Sequence, residues 1–143
     1  MAAIFELRLP REGESVRRAR RFVESVVSTA RPDEPINDLL VAVSELCTNV
    51  VQHSDVGDFG MRLEINDEQV ELEVFDRGGP IGAPYEEPTL PPPTSMRGRG
   101  LAIVDTLVDH LRIHLAPDGG WRVTIRKALR MSALRELVPS PTS

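Results

Sequence analysis

The sequence has one cysteine, Cys47, one lysine, Lys127, one tryptophan and one tyrosine. A single thiol cannot close an internal disulfide, so the fold holds without covalent staples, and nothing points to an oxidising compartment. Aromatic residues make up only 4% of the chain, which leaves aliphatic side chains to fill the core. No apolar run approaches the ~20 residues that a membrane-spanning helix needs. The opening MAAIFELRLPREGESVRRARR has no signal-peptide core. We therefore expect a soluble, cytoplasmic protein without a membrane partner. Net basic charge is missing too: the formal charge is −5. Direct nucleic-acid binding, which normally rests on a basic field, is not expected. No Gly-Lys-Ser/Thr exists for a Walker loop, and no glycine stretch fits the dinucleotide fingerprint.

What is present suffices for one domain. The chain has 143 residues, 41% of them hydrophobic. Phe5, Leu7 and Leu9 alternate with Glu6 and Arg8, a short strand that Pro10 stops. In ESVRRARRFVESVVSTA, Val16, Ala19, Phe22, Val23, Val26 and Val27 fall at helical spacing. Arg17, Arg18, Arg20 and Arg21 occupy its other faces, as a solvated side or as a dock for an acidic partner. A second helix runs from about Ile36 to His53. MRLEI (61–65) and VELEVF (70–75) alternate around NDEQ and read as a hairpin, and LRIHL (111–115) and WRVTIR (121–126) repeat the pattern around APDGG. Leu101, Val104, Leu107 and Val108 mark a short helix between the hairpins. The order β, α, α, β, β, loop, α, β, β predicts an α/β (α+β) two-layer sandwich, a mostly antiparallel mixed sheet with helices packed on one face. The stretch 80–95 holds six prolines and cannot be regular structure. Long loops inside compact domains are often lids. Residues 1–128 form the expected domain; 129–143 form a tail with a short helix near SALRELV that then frays.

The second helix has two faces. At about 100° per residue, Ile36, Leu39, Leu40, Val43, Leu46, Cys47, Val50 and Val51 span roughly 140°. Glu45, Asn49, Gln52 and His53 gather on a separate arc. Glu45 or His53 alone fits a solvated helix side. Asn49 is harder to place, since asparagine is a mediocre helix former. A neutral oxygen one turn from a carboxylate suits a hard cation such as Mg²⁺, which takes its other oxygens from water and substrate phosphates. Cys47 faces the apolar arc and reads as core.

Two glycine stretches follow. In VFDRGGP, Asp76 sits where a strand opens into a turn. This is either plain turn chemistry or a carboxylate for an exocyclic amine, with bare backbone for a flat ligand. In MRGRGLAIV, Gly98 and Gly100 precede a helix: either a simple glycine-flanked helix start, or an anion site made by their N–H groups and the helix dipole, with Arg97 and Arg99 suited to phosphate oxygens.

In this order, ELCTNVVQH, DRGG and RGRGLAIV resemble the nucleotide-binding blocks of the GHKL ATPase superfamily, the Bergerat-type ATP fold of gyrase, Hsp90, histidine kinases and MutL. The resemblance runs from Phe5 to Lys127 and points to the bacterial branch of anti-sigma-factor serine kinases and their ATP-binding regulatory relatives. It implies ATP and Mg²⁺ as cofactors. It makes Asn49 the Mg²⁺ ligand, Glu45 the catalytic residue that positions or deprotonates the nucleophile, and Asp76 the adenine reader. Gly78 matches the first glycine of the second block. Arg97, Gly98, Arg99, Gly100 and Leu101 belong to the phosphate-cradling block, His53 stands near the phosphates, and 80–99 is the ATP lid. One departure is plain: Pro80 stands where a second glycine is usual. The implied function is an ATP-binding anti-sigma factor. It would phosphorylate a serine or threonine of a STAS-type anti-sigma-factor antagonist, sequester a sigma factor, and work as a homodimer. Pro80 favours the alternative, a nucleotide-binding interaction module without turnover. A third reading is the detached catalytic domain of a histidine kinase, against which no helical hairpin with a phospho-acceptor histidine precedes the first strand.

Overall fold

The computed structural model describes residues 2–53, 57–76, 99–115 and 120–129. The expected lid up to residue 98 and the expected tail helix lie outside these residues. Eight elements follow in the expected order: β1 (Ala3–Pro10), α1 (Glu14–Ala30), α2 (Asn37–His53), β2 (Asp58–Ile65), β3 (Gln69–Phe75), α3 (Arg99–Leu107), β4 (His110–Leu115) and β5 (Trp121–Ala128). Both hairpins form. In the first turn Asn66 Oδ1 accepts the N–H groups of Glu68 and Gln69 at 2.8 and 2.9 Å, so the side chain itself folds the chain back.

The five strands lie in the order β1-β2-β3-β5-β4, and every neighbouring pair is antiparallel. The sheet is therefore wholly antiparallel among the described residues, where some parallel pairing was expected. β5 inserts between β3 and β4, an order that hairpin signals do not reveal. β1 is also longer than its alternation indicates, because Ala3 and Ile4 pair with Ile65 and Glu64.

Register turns alternation into two different faces. The row Phe5, Leu63, Leu72, Ile125, Leu111 crosses all five strands, and so does Leu7, Met61, Val74, Val123, Ile113. This apolar face meets Ala19, Val23 and Val27 of α1, Leu39, Val43, Leu46 and Val50 of α2, and Leu101 and Val104 of α3 in one buried cluster. α2 packs against both α1 and α3, so it is the middle helix of the layer. Among the described residues no helix is long and apolar enough to cross a membrane.

The opposite face carries charge. Its rows are Glu6, Arg62, Glu73, Thr124, Arg112 and Arg8, Gly60, Phe75, Arg122, His114. Gly60 is required there: a Cβ would overlap the ring of Phe75, its cross-strand partner. The guanidinium groups of Arg8 and Arg122 lie 6.0 and 5.8 Å from that ring's centre. Glu73 is buried, with Arg122 Nε at 3.0 Å and Arg62 Nη1 at 3.6 Å. Arg126 Nε donates to Glu71 Oε2 at 2.8 Å.

Burial pushes the Glu73 carboxyl above the usual carboxylate range, although Arg122 and Arg62 pull it down. A raised folded-state value means that the folded protein holds this proton more tightly than the unfolded chain does. The associated stability is complete at low pH and drains away as pH rises through the folded value. Relative to Glu73→Gln, the native protein should therefore lose stability as pH climbs above the ordinary glutamate value of about 4.3. Urea unfolding of both proteins across that range measures the difference. A difference that moves in the native protein's favour with rising pH would mean that the arginines outweigh burial.

Candidate functional site

α2 carries both the core and the site. Its stripe Leu39, Leu40, Val43, Leu46, Cys47 and Val50 is buried. Cys47 has no exposure, and burial pushes its thiol up to about 12. It stays a neutral core side chain and not a nucleophile. On the neighbouring arc Glu45 is half-buried and Gln52 is exposed. Asn49, one turn beyond Glu45, is only 9% exposed. On α2 itself Ser44 Oγ donates to Leu40 O at 2.9 Å. The Asn49 side-chain nitrogen, like Arg62 Nε of β2, has no such bond. It is buried and has no hydrogen-bond partner among the described residues.

An unmatched buried amide costs about 1–3 kcal/mol, so its retention asks for a reason. A ligand supplies one. The nitrogen can donate to a phosphate oxygen, and half a turn of the amide presents its oxygen to a hard cation instead. No group of three His, Cys, Asp or Glu side chains is placed to hold a metal among the described residues. A cation here would thus draw most of its oxygens from substrate and water, as Mg²⁺ beside a nucleotide does. On these grounds the donor set fits MgATP.

The end of α2 is held from the other side of the chain. Arg11 Nη1 donates to Val51 O at 3.2 Å, and the Arg11 N–H donates to Gly57 O at 2.9 Å. Ser15, fully buried, donates to Pro10 O at 2.6 Å and shapes that turn. Sequence reasoning passed over Arg11, because no local pattern ties it to residue 51.

Asp76 follows directly on β3, and its carboxylate is buried at 4% exposure. Oδ1 accepts the Trp121 N–H at 2.8 Å, and the Asp76 N–H donates to Trp121 O at 3.3 Å. One carboxylate oxygen therefore ties β3 to β5. Trp121, 45 residues away, is a positioning partner that sequence reasoning did not find.

α3 begins at Arg99, so Gly100 lies inside its first turn and not ahead of it. The N–H groups that any helix start leaves without intrahelical partners thus belong to the block's own residues. The Leu101 side chain is buried in the core, which leaves only its backbone to meet a ligand. The first turn itself holds no acidic residue that would oppose the positive end of the helix dipole. At the other end, Lys127 Nζ donates to Leu107 O at 2.7 Å and lies 4.0 Å from Asp38 of α2. The sole lysine is a helix cap. His53, Arg99 and Gly100 are placed as helix positions only, and Gly78, Arg97 and Gly98 lie outside the described residues. The contact of α3 with α2 sets the third block in the same helical layer as Glu45 and Asn49.

A profile described as the histidine kinase-like ATPase domain matches residues 9–127. The chain belongs to this family. Serine-protein kinase RsbW of Bacillus velezensis is 31% identical over 137 residues, covering 87% of this chain and 84% of its own. RsbW of Bacillus subtilis is 30% identical over 125 residues, 78% of each chain. Anti-sigma F factor of Clostridium beijerinckii is 31% identical over 120 residues, 76% of this chain and 82% of its own. Among solved structures, the RsbU and RsbW domains of Rv1364c from Mycobacterium tuberculosis match with a TM-score of 0.64 at 22% identity. That match covers 89% of this chain and 32% of the other, so this chain spans about a third of that longer one. The antiparallel sheet with helices on one face is thus the GHKL ATPase fold.

The Asp76–Trp121 bond makes a prediction of its own. Asp76→Ala leaves a buried N–H unmatched and should cost about 1–3 kcal/mol. Asp76→Asn keeps an oxygen for Trp121 and should cost clearly less. Denaturant midpoints of the two variants decide it, and equal losses would show that the bond does not hold the strands.

Proposed function

We propose that this chain is an ATP-binding anti-sigma factor with serine/threonine kinase activity toward an anti-sigma-factor antagonist of the STAS type. It also sequesters a sigma factor, acts in the cytoplasm and so regulates transcription. The observation that carries the reading is the buried side-chain nitrogen of Asn49, without a hydrogen-bond partner among the described residues and one turn from Glu45, on an ATPase-family fold. The RsbW and anti-sigma F relatives support it through their names.

In this reading Asn49 would hold the Mg²⁺ that accompanies ATP, and that ion would supply charge neutralisation on the phosphates. Asp76 accepts a hydrogen bond from the adenine amine, and Gly78 lets the ring approach bare backbone. Arg97, Gly98, Arg99, Gly100 and the Leu101 N–H would take phosphate oxygens, and His53 would contribute beside them, as the family's motif order implies. Glu45 accepts the proton of the partner's hydroxyl as its oxygen attacks the γ-phosphorus and the bridging oxygen leaves with ADP. The transition state for such transfer is loose, so alignment and charge neutralisation carry the rate.

Self-association is assigned to the β1 edge. Ile4 and Phe5 are 51% and 40% exposed there, beside an apolar groove of about 240 Å³ lined by Val26, Thr29, Ala30 and Ile65. A long apolar edge strand invites pairing. Phe5→Glu should convert a dimer to a monomer in sedimentation; a parent protein that sediments as a monomer would refute the assignment.

Pro80 favours the second reading, nucleotide binding without turnover. Two variants and one titration separate the two. Glu45→Ala should bind ATP normally yet lose about 10²–10⁴ in transfer rate to a cognate antagonist. Asn49→Ala should lose the Mg²⁺-dependent part of ATP-induced thermal stabilisation. ATP that stabilises the native protein without any phosphate transfer supports the second reading, and a flat titration defeats both.

A further inference from the structure

The rung that joins Asp76 to Trp121 brings a second side chain to the same place. β3 and β5 run in antiparallel register, with Val74 opposite Val123 and Phe75 opposite Arg122. The next rung sets Asp76 opposite Trp121. Its two bonds run from the Asp76 N–H to Trp121 O at 3.3 Å and from the Trp121 N–H to Asp76 Oδ1 at 2.8 Å. The carboxylate thus takes the acceptor place that a backbone carbonyl fills elsewhere in an antiparallel ladder. On the Trp121 side only backbone atoms are engaged. The indole is a separate group with its own surroundings.

Those surroundings lie on the helix side of the sheet. Trp121, Val123 and Ile125 belong to one buried cluster with Val74 of β3 and with Leu101 and Val104 of α3. Arg122, Thr124 and Arg126 line the groove on the other face. Trp121 is the only tryptophan of the chain. Within its cluster, among the described residues, Phe59 is the one other buried aromatic ring. Aliphatic side chains fill the rest of that layer. The ring therefore stands at the rung of the second glycine block's carboxylate and in one cluster with the helix of the third block.

Directly opposed residues in a sheet have Cβ atoms about 4.5–5.5 Å apart. An indole is longer than that gap. A base whose exocyclic amine bonds the Asp76 carboxylate therefore comes within reach of the indole.

We propose that the Trp121 indole forms a wall of the base pocket and is a specificity-determining residue for a two-ring base. The inference rests on the nucleotide reading above and divides the recognition between two residues. Asp76 accepts a hydrogen bond, so it selects an exocyclic amine. Adenine and cytosine carry one at the matching position, where guanine and uracil present a carbonyl oxygen. That selection does not separate adenine from cytosine. A flat apolar wall does, because adenine offers two fused rings to the indole and cytosine offers one. A ring that merely fills the core predicts something else: its loss lowers stability and weakens every ligand of the site alike.

The test uses the full chain and three probes, ATP, CTP and inorganic tripolyphosphate, each with Mg²⁺. Calorimetry measures binding, and the emission of the single tryptophan is followed in parallel. ATP should change that emission. CTP should bind about ten- to a hundredfold more weakly than ATP, and tripolyphosphate should bind without altering the emission. Trp121→Leu keeps the backbone N–H for Asp76. It should bring ATP affinity down toward that of CTP and leave tripolyphosphate affinity unaltered. Trp121→Phe keeps a smaller ring and should fall between. Melting temperatures establish that each variant is folded; should Trp121→Leu fail to fold, the native emission and Trp121→Phe decide the matter. Four results would overturn the proposal: ATP binding with unchanged native emission, the same emission change from tripolyphosphate, the native ATP-to-CTP ratio in the variants, or an equal loss for all three probes. Those results leave nucleotide binding itself standing. A native protein that binds none of the three defeats the nucleotide reading and this inference with it.

Discussion

The contact between the aliphatic stripe of α2 and the sheet is the one on which the rest depends. Leu39, Val43, Leu46 and Val50 sit in one cluster with Met61, Leu63, Leu72 and Val123. Each such side chain contributes about 1.5–3 kcal/mol when fully buried. That fixes the rotation of α2 about its axis. With the stripe turned inward, Glu45 and Asn49 have no freedom over where they stand. The polar site is placed by an apolar force.

Rotation alone would leave α2 free to slide, and polar bonds at both ends oppose that. Arg11 holds the carbonyl of Val51 near the carboxyl end, and Lys127 bridges the end of α3 toward Asp38 at the amino end. Both groups come from strands or their flanking turns, so sheet and helices are cross-tied at the site's margins. Asp76 plays a double part. Its carboxylate fastens β3 to β5 through Trp121 at the mouth of the second glycine block. A residue suited to reading a ligand is thus also held rigid by the fold, which lowers the entropy lost on binding.

The two faces of the sheet solve different problems. The apolar face has one thermodynamic task, burial. The charged face has to keep Glu73, Arg62 and Arg122 together at low exposure, where desolvation opposes attraction. Gly60 and Phe75 complete that face by letting a ring lie flat across β2 under two guanidinium groups. The chemistry assigned to nucleotide lies in the helix layer and, at Asp76, at the end of β3. The two edge strands differ: β1 exposes Ile4 and Phe5, while the outward side of β4 carries His110, Arg112 and His114.

Local periodicity by itself determined the elements. Alternation in MRLEI and VELEVF fixed two strands, and the two arcs of residues 36–53 fixed a helix with a core side and a polar side. Period is a property of neighbours along the chain, so it reads without a structure. The motif order was equally local and identified the family. Nothing local sets β5 between β3 and β4, pairs Ala3 with Ile65, joins Asp76 to Trp121, or caps α3 with Lys127. Those are contacts between residues tens of positions apart, chosen by which surfaces fill one core together. The burial of Asn49 belongs with them. The sequence marked the residue, but only packing removed its side-chain nitrogen from water and left it without a hydrogen-bond partner among the described residues.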